Sequence, residues 1–118
     1  MEKEFIPYEQ ALALKELGFD EFCLGFYNKE SKLIITGISK LRYAPKLWTP
    51  TFSQAFRWFR EKYELMSEII WMSALPTHNT FSARIESSEK TENMLECNTY
   101  EEAELECLKK LIEIVKEK

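Results

Sequence analysis

The chain has 118 residues, of which 45% are hydrophobic and 31% are charged, and its formal net charge is −4 at pH 7. This composition is typical of a soluble globular protein, and we predict a single domain over residues 1–118. The negative charge disfavours a nucleic-acid-binding surface over the whole protein, and no apolar run approaches the roughly 20 residues that span a membrane.

The cysteines and the first residues indicate a cytoplasmic protein. Three cysteines without a CxxC pair predict reduced thiols rather than disulfides. Residues 1–4 are charged and lack an apolar segment, so we expect no secretory signal.

The first third of the chain predicts a helix followed by a hairpin. Pro7–Leu17 favours a helix, with proline in its first turn and Gly18 as a left-handed stop. Phe22–Tyr27 and Leu33–Ile38 are rich in strand-forming residues, and the polar residues between them predict a hairpin turn. Gly25 in the first strand predicts a bulge or a close approach of another group.

Residues 39–50 are predicted to form a loop that carries cations and aromatic rings. Such a mixture can hold phosphates and stack bases, so this loop is one candidate nucleic-acid-binding site. An alternative is that its rings close the edge of the core. The candidate residues are Lys40, Arg42, Tyr43, Lys46 and Trp48.

The stretch Thr51–Met66 predicts an amphipathic helix around which the core is built. Thr51 can cap its first turn, and apolar residues recur at helical spacing. Those on the predicted buried face are Phe52, Ala55, Phe56, Phe59, Tyr63 and Met66. Trp58 lies beside that face. It either packs inside the protein or is an exposed anchor for a protein partner, since tryptophan is enriched at binding hot spots.

The last half of the chain predicts a second hairpin and a final helix. Glu68–Ala74 has apolar residues on both sides, which predicts a central strand, and Thr80–Glu86 alternates strictly. A short edge strand is predicted at Met94–Glu96. Thr99 with Glu102 forms a capping box pattern, and the wide apolar stripe that follows predicts contact with the sheet and with another helix or a second subunit.

These elements predict an α+β fold. The order is α-β-β-α-β-β-α, in which three helices pack on one antiparallel sheet of about four strands, formed by two hairpins.

Charge is unevenly distributed along the sequence. Residues 86–106 hold eight glutamates and one lysine, so an acidic face is predicted there, unless the charges mix in space. The candidate protein-binding residues are Trp58, Glu86, Glu89, Glu92 and Glu96.

The usual signatures of catalysis and cofactor binding are missing from the sequence. The single histidine, His78, has no neighbouring acid or cysteine, which makes a metal site or a general base implausible. With three glycines there is no phosphate-binding loop. We therefore expect no enzyme activity, no metal and no cofactor.

Three segments together resemble a family of short, uncharacterised proteins encoded by bacterial phages and prophages. The segments are Phe5–Glu21, Ser53–Tyr63 and Tyr100–Ile112, which cover the three predicted helices. The resemblance implies a mobile-element context and brings no catalytic residues.

These observations lead to three functional hypotheses. The first is a protein-binding module that inhibits a host defence nuclease, as anti-CRISPR proteins do, by placing an acidic face in a basic channel. The second is a nucleic-acid-binding accessory protein that uses the loop at residues 40–48. The third is a structural or assembly protein that pairs two chains through the last helix.

Overall fold

Three α-helices and six strands follow one another in the part of the chain that the computed structural model describes, residues 2–35, 47–75, 78–93 and 96–117. Their order is α-β-β-β-α-β-β-β-α, which confirms the α+β class. The elements are α1 (Tyr8–Glu16), β1 (Gly25–Tyr27), β2 (Leu33–Ile35), β3 (Leu47–Thr49), α2 (Phe52–Tyr63), β4 (Met66–Leu75), β5 (His78–Glu86), β6 (Thr91–Asn93) and α3 (Tyr100–Lys116). The chain divides into two compact units, residues 1–55 and 56–118, with the boundary inside α2.

The strands form two antiparallel sheets rather than one. In the first unit the order is β2-β1-β3, and in the second it is β4-β5-β6. Both predicted hairpins are present, as β1–β2 and β4–β5. Each gains a short third strand: β3 lies in the predicted loop and places Trp48 opposite Phe26, and β6 pairs with the end of β5. The edge strand predicted at Met94–Glu96 falls largely outside the described residues, which omit Met94 and Leu95.

In the first unit, helix α1 ends beside Gly18, as the sequence predicts. Gly18 has a φ of 99°, and the Gly18 and Phe19 amides donate to the carbonyls of Lys15 and Leu14 at 3.0 Å. These two bonds form the Schellman motif. Leu14 and Phe19 are both buried, so the chain folds back onto the last turn of α1 as the sequence predicts.

A single backbone carbonyl joins three segments of the first unit. The Ile6 carbonyl accepts hydrogen bonds from the Tyr27 hydroxyl at 2.9 Å and from the Thr49 hydroxyl at 2.6 Å. The Ile6 amide donates to the Pro50 carbonyl at 2.9 Å. Buried polar groups need such partners, and these bonds fix the N-terminal segment beside β1 and β3.

Helix α2 is shorter than the sequence predicts. Thr51 caps it as expected, since its hydroxyl accepts from the Gln54 amide at 3.2 Å. Its C-terminal end differs, because Glu64 adopts a φ of 56° and the Leu65 amide turns back to the Phe59 carbonyl at 3.3 Å. Met66 therefore begins β4 and is exposed instead of completing the buried face of the helix.

The second unit has a long hairpin on which α3 packs. In β5, Ala83 and Ile85 are buried while Glu86 is exposed, as the alternation predicts. Among the described strands, the prediction that Glu68–Ala74 forms a central strand is wrong: β5 is central, and β4 is at an edge. Apolar side chains on both faces of this segment do not require it to have a hydrogen-bonded strand along each of its edges.

Helix α3 begins at the predicted cap. The Thr99 hydroxyl accepts from the Glu102 amide at 3.1 Å, and acidic residues follow in the first turn. Most of its apolar stripe is used inside the chain, because the buried residues are Ala103, Cys107, Leu108, Leu111, Ile112 and Val115.

Candidate protein-binding site

The net negative charge of the protein resides in the second unit. Residues 56–118 hold nine lysines and arginines and 13 glutamates, whereas residues 1–55 hold seven cations and seven acids. The entire charge of −4 therefore falls on the unit built from the long hairpin and α3. A basic partner would be attracted to this unit rather than to the first.

The four predicted glutamates lie at different places in this unit. Glu86 ends β5, Glu89 is in the turn that follows, and Glu92 is in β6. Glu96 lies apart from them, immediately before the bridge that joins Cys97 to Phe81 and shortly before α3 begins. The structure thus separates Glu96 from the other three and does not bring the whole acidic segment into one cluster.

Ion pairs inside the unit neutralise part of the acidic segment. Arg84 binds both Glu68 and Glu86, the latter with Nε at 3.2 Å from Oε1. Glu92 lies 3.2 Å from the Lys90 ammonium and 3.9 Å from that of Lys110. No ion pair joins Glu89 or Glu96 to another described residue, so these two carry most of the unpaired charge among the four.

A cavity of about 260 Å³ brings Glu89 and Glu92 together with a third glutamate, Glu64. We call it the acidic cavity. The buried side chains of Leu65 and Ile85 contribute apolar surface to its lining, together with Ile114, while Glu64 and Glu89 are exposed. Tyr63, Lys90 and two serines complete the lining. Carboxylates and apolar surface therefore occur in one concave site.

No pattern in the sequence indicates that Glu64 belongs to this site. Its left-handed backbone ends α2 and directs the chain into β4, which brings residue 64 beside the turn after β5. A non-glycine residue with positive φ is uncommon and cannot be recognised from the sequence. The helix predicted through Met66 placed Glu64 on a solvated helical face instead.

A second surface, missed by the sequence reasoning, lies at the N-terminal end of α3. The Phe81 and Tyr100 rings pack edge to face with centroids 5.9 Å apart, and Trp71 is opposite Phe81 in the β4–β5 register. Trp71 is 62% exposed and Tyr100 is 46% exposed. Burial and then the charges of Glu104 and Glu101 raise the pKa of Tyr100, which shows that acids border this aromatic surface.

Trp58 is not an exposed anchor. It is only 5% exposed, and its ring packs edge to face on Phe59 and Tyr63 with centroids 5.0 and 5.4 Å apart. The Lys62 ammonium lies 5.1 Å from the ring centroid, a favourable cation–π arrangement. The anchor interpretation is therefore wrong, and the alternative of packing inside the protein is correct.

Of the candidate nucleic-acid-binding residues, only Trp48 lies within the described residues; Lys40, Arg42, Tyr43 and Lys46 lie outside them. The Trp48 ring is 5.7 Å from that of buried Phe26 and 6.0 Å from that of Phe22. It also lines a cleft of about 500 Å³ with one cation, Lys15, and one acid, Asp20. This arrangement agrees with a ring that closes the edge of the core.

The thiols of Cys97 and Cys107 are poorly suited to nucleophilic chemistry. Burial, and then Glu102 and Glu106, raise the pKa of Cys97. Burial raises the pKa of Cys107 to about 12, although a hydrogen bond with Ser67 acts in the opposite direction. Across the four described stretches, no three His, Cys, Asp or Glu side chains are arranged to hold a metal ion.

None of the helices in the described residues combines the length and the apolar character that crossing a bilayer would require. No protein-family model, no curated protein and no solved structure matches this chain.

Proposed function

We propose that this chain is a small non-enzymatic protein of phage or prophage origin that binds a basic partner protein and blocks it. The proposed partner is a nuclease of host defence, which would make the protein anti-CRISPR-like in its action. The observation that carries the proposal is the acidic cavity in the unit that holds the whole net charge. The resemblance of the three helical segments to phage-encoded proteins supports the mobile-element context.

The acidic cavity has the chemistry that a partner's lysine or arginine requires. Such side chains lay their methylene stems on apolar surface and keep the charged end in contact with polar groups. The apolar lining of Leu65, Ile85 and Ile114 would receive the stem, and Glu64 and Glu89 would receive the charge. A volume of about 260 Å³ is several times the roughly 30 Å³ that one water occupies in the liquid, so one side chain can enter.

Electrostatics would also guide the encounter. A negatively charged unit is drawn towards a channel that normally holds nucleic acid, which raises the association rate at low salt. A protein seated there would exclude the nucleic-acid substrate without any catalysis of its own. An inhibitor of this kind would act in the cytoplasm of the host cell.

The test is affinity capture from a lysate of the encoding bacterium, compared between the natural protein and a Glu64→Lys, Glu89→Lys, Glu92→Lys variant. Any nuclease recovered is purified, and its cleavage activity is titrated with each form. We expect the natural protein to inhibit cleavage, and we expect the variant to bind at least about tenfold more weakly, since each close charge pair contributes a kcal/mol or more.

A matched control carries the same charge change in the first unit, with Glu9→Lys, Glu16→Lys and Glu30→Lys, three exposed positions. This control should retain inhibition. The proposal is overturned if no basic protein is captured, if the captured nuclease cleaves normally, or if the two triple variants lose binding equally.

A further inference from the structure

One edge of the second sheet has no partner in the described part of the chain. The strand order β4-β5-β6 leaves β4 paired with β5 alone, and β4 is ten residues long. An edge strand presents alternating unpaired N–H and C=O groups, which form a template for another strand. The other edge of this sheet, β6, is only three residues long.

Over residues 66–73, the β4 edge has little of the usual protection against strand pairing. Natural edge strands carry lysines, prolines or inward-pointing charges, whereas Met66–Leu75 contains one charged residue, Glu68, and no proline. Glu68 is ion-paired to Arg84 on the neighbouring strand. Two large apolar side chains of β4 are exposed, Met66 by 50% and Trp71 by 62%.

The register of β4 with β5 shows how much of this edge is regular. The pairing runs without a shift from Met66 opposite Glu86 to Ser73 opposite Asn79, and an irregularity follows between Ser73 and Leu75. Bulges bend a strand and interrupt its ladder. The segment available for additional pairing is therefore residues 66–73.

We infer that the β4 edge pairs with the β4 edge of a second copy of this chain, in antiparallel orientation. The result is a symmetric dimer in which the two three-stranded sheets of the second units join into one sheet of six strands. This interface is isologous, since the same segment contributes from both copies. It is independent of the proposed inhibition of a basic partner.

Two-fold symmetry limits the register of this pairing. Residues that lie opposite each other on neighbouring strands point to the same face of the sheet. The two-fold axis must therefore place one residue of β4 opposite the same residue of the second copy, and it cannot place a residue opposite its neighbour in the sequence. An axis at Ile69 places Trp71 opposite Ser67 of the second copy, and an axis at Ile70 places it opposite Ile69. In both registers Glu68 is opposite an uncharged position, so the interface contains no direct pair of like charges.

A second copy fits this edge better than a basic segment of another protein does. Glu64, Glu89 and Glu96, which have no ion pair with another described residue, all lie outside β4. The one acid of β4 is already paired with Arg84. The edge is thus nearly neutral and apolar, which favours an identical apolar edge as its partner.

Sedimentation velocity over a concentration series tests the dimer directly. The strand pairing is short, so we expect reversible association with a micromolar dissociation constant, typical of small interfaces. Trp71→Lys introduces an exposed charge on the edge and should raise this constant by at least about tenfold. Leu24→Lys, at a 50% exposed apolar site in the first unit, is the matched control and should leave association unchanged.

Cross-linking keeps the inference testable even if Trp71→Lys disturbs folding. In a Cys97→Ser background, Ile69→Cys or Ile70→Cys places identical cysteines at the axis, where a disulfide can form. We expect at least one of them to give a covalent dimer under mild oxidation, and Ser53→Cys, at an exposed site on α2, to remain monomeric. A natural protein that stays monomeric at high concentration, or cross-linking equal to that of Ser53→Cys, overturns the inference.

Discussion

Phe5 occupies the space that a side chain on residue 25 would need. A Cβ added to Gly25 would lie 2.7 Å from Phe5 Cε1, closer than carbon atoms can approach. Phe5 is 5% exposed, and Gly25 pairs with Ile35 on one side and with Thr49 on the other. The glycine of the first hairpin is therefore required by close packing, which is one of the two alternatives that the sequence predicts.

Gly25→Ala should destabilise the first unit, because the Phe5 ring must shift inside a closed core. Overpacking of this kind costs about 1–3 kcal/mol. Thermal and urea unfolding measure the loss, with Ser53→Ala on the exposed face of α2 as the control. Unfolding free energies that agree for Gly25→Ala and the control would contradict the close contact.

Thr99→Ala should weaken the start of α3. The change removes the acceptor of the Glu102 amide, and loss of such a cap typically costs about 1 kcal/mol. Thr91→Ala, at an exposed position in β6, lacks a capping role and is the control. Equal stability of the two variants in urea titration would show that the cap contributes nothing.

Truncation of the two tryptophans of the second unit should change the free energy of unfolding by very different amounts. Trp58→Ala removes a buried ring and should cost about 3–5 kcal/mol, whereas Trp71→Ala removes an exposed ring and should stay within about 0.5 kcal/mol. Urea unfolding at low protein concentration, where any dimer dissociates, measures both. A small loss for Trp58→Ala would revive its interpretation as an exposed anchor.

Cys97 should alkylate slowly at neutral pH. Burial and then the charges of Glu102 and Glu106 raise its pKa, so the reactive thiolate is less populated near pH 7 and the reaction profile shifts to higher pH. Iodoacetamide labelling with peptide mass spectrometry follows each thiol, and Cys107, whose pKa is about 12, should react more slowly still in the folded protein.

The carboxylates should account for part of this shift. The double variant Glu102→Gln, Glu106→Gln should shift the pH profile of Cys97 alkylation towards lower pH. Glu117→Gln, at the far end of α3, should leave this profile unchanged. A pH profile of Cys97 alkylation that matches that of the unfolded protein would contradict the raised pKa. A profile that the double variant leaves unchanged would contradict the contribution of the two glutamates.

Local sequence signals were sufficient to predict most of the fold. Gly18, Thr51 and Thr99 each mark a helix boundary through a backbone or capping requirement that involves only neighbouring residues. The strict alternation of β5 likewise predicted that Ala83 and Ile85 are buried, although Phe81, which it also places inward, is only half-buried. Such features depend on short-range chemistry and can therefore be derived from one sequence.

Features that depend on distant pairing were predicted less well. Strand β3 forms because Leu47–Thr49 pairs with residues 20 to 24 positions earlier in the chain, and its own sequence resembles a loop. The edge position of β4 is likewise decided by which strands join the sheet. The acidic cavity depends on the left-handed conformation of Glu64. The anchor hypothesis for Trp58 failed because this side chain, which the helical spacing places only beside the apolar face of α2, is buried in the folded chain.

The most direct test of the central claim measures inhibition of a captured host nuclease by the natural protein and by the Glu64→Lys, Glu89→Lys, Glu92→Lys variant at several salt concentrations. We predict inhibition that weakens as salt rises, because screening reduces attraction between exposed charges. At low salt the variant should need at least about a tenfold higher concentration than the natural protein for the same inhibition. Undiminished inhibition by the variant, or the absence of any nuclease that the natural protein inhibits, would contradict the account.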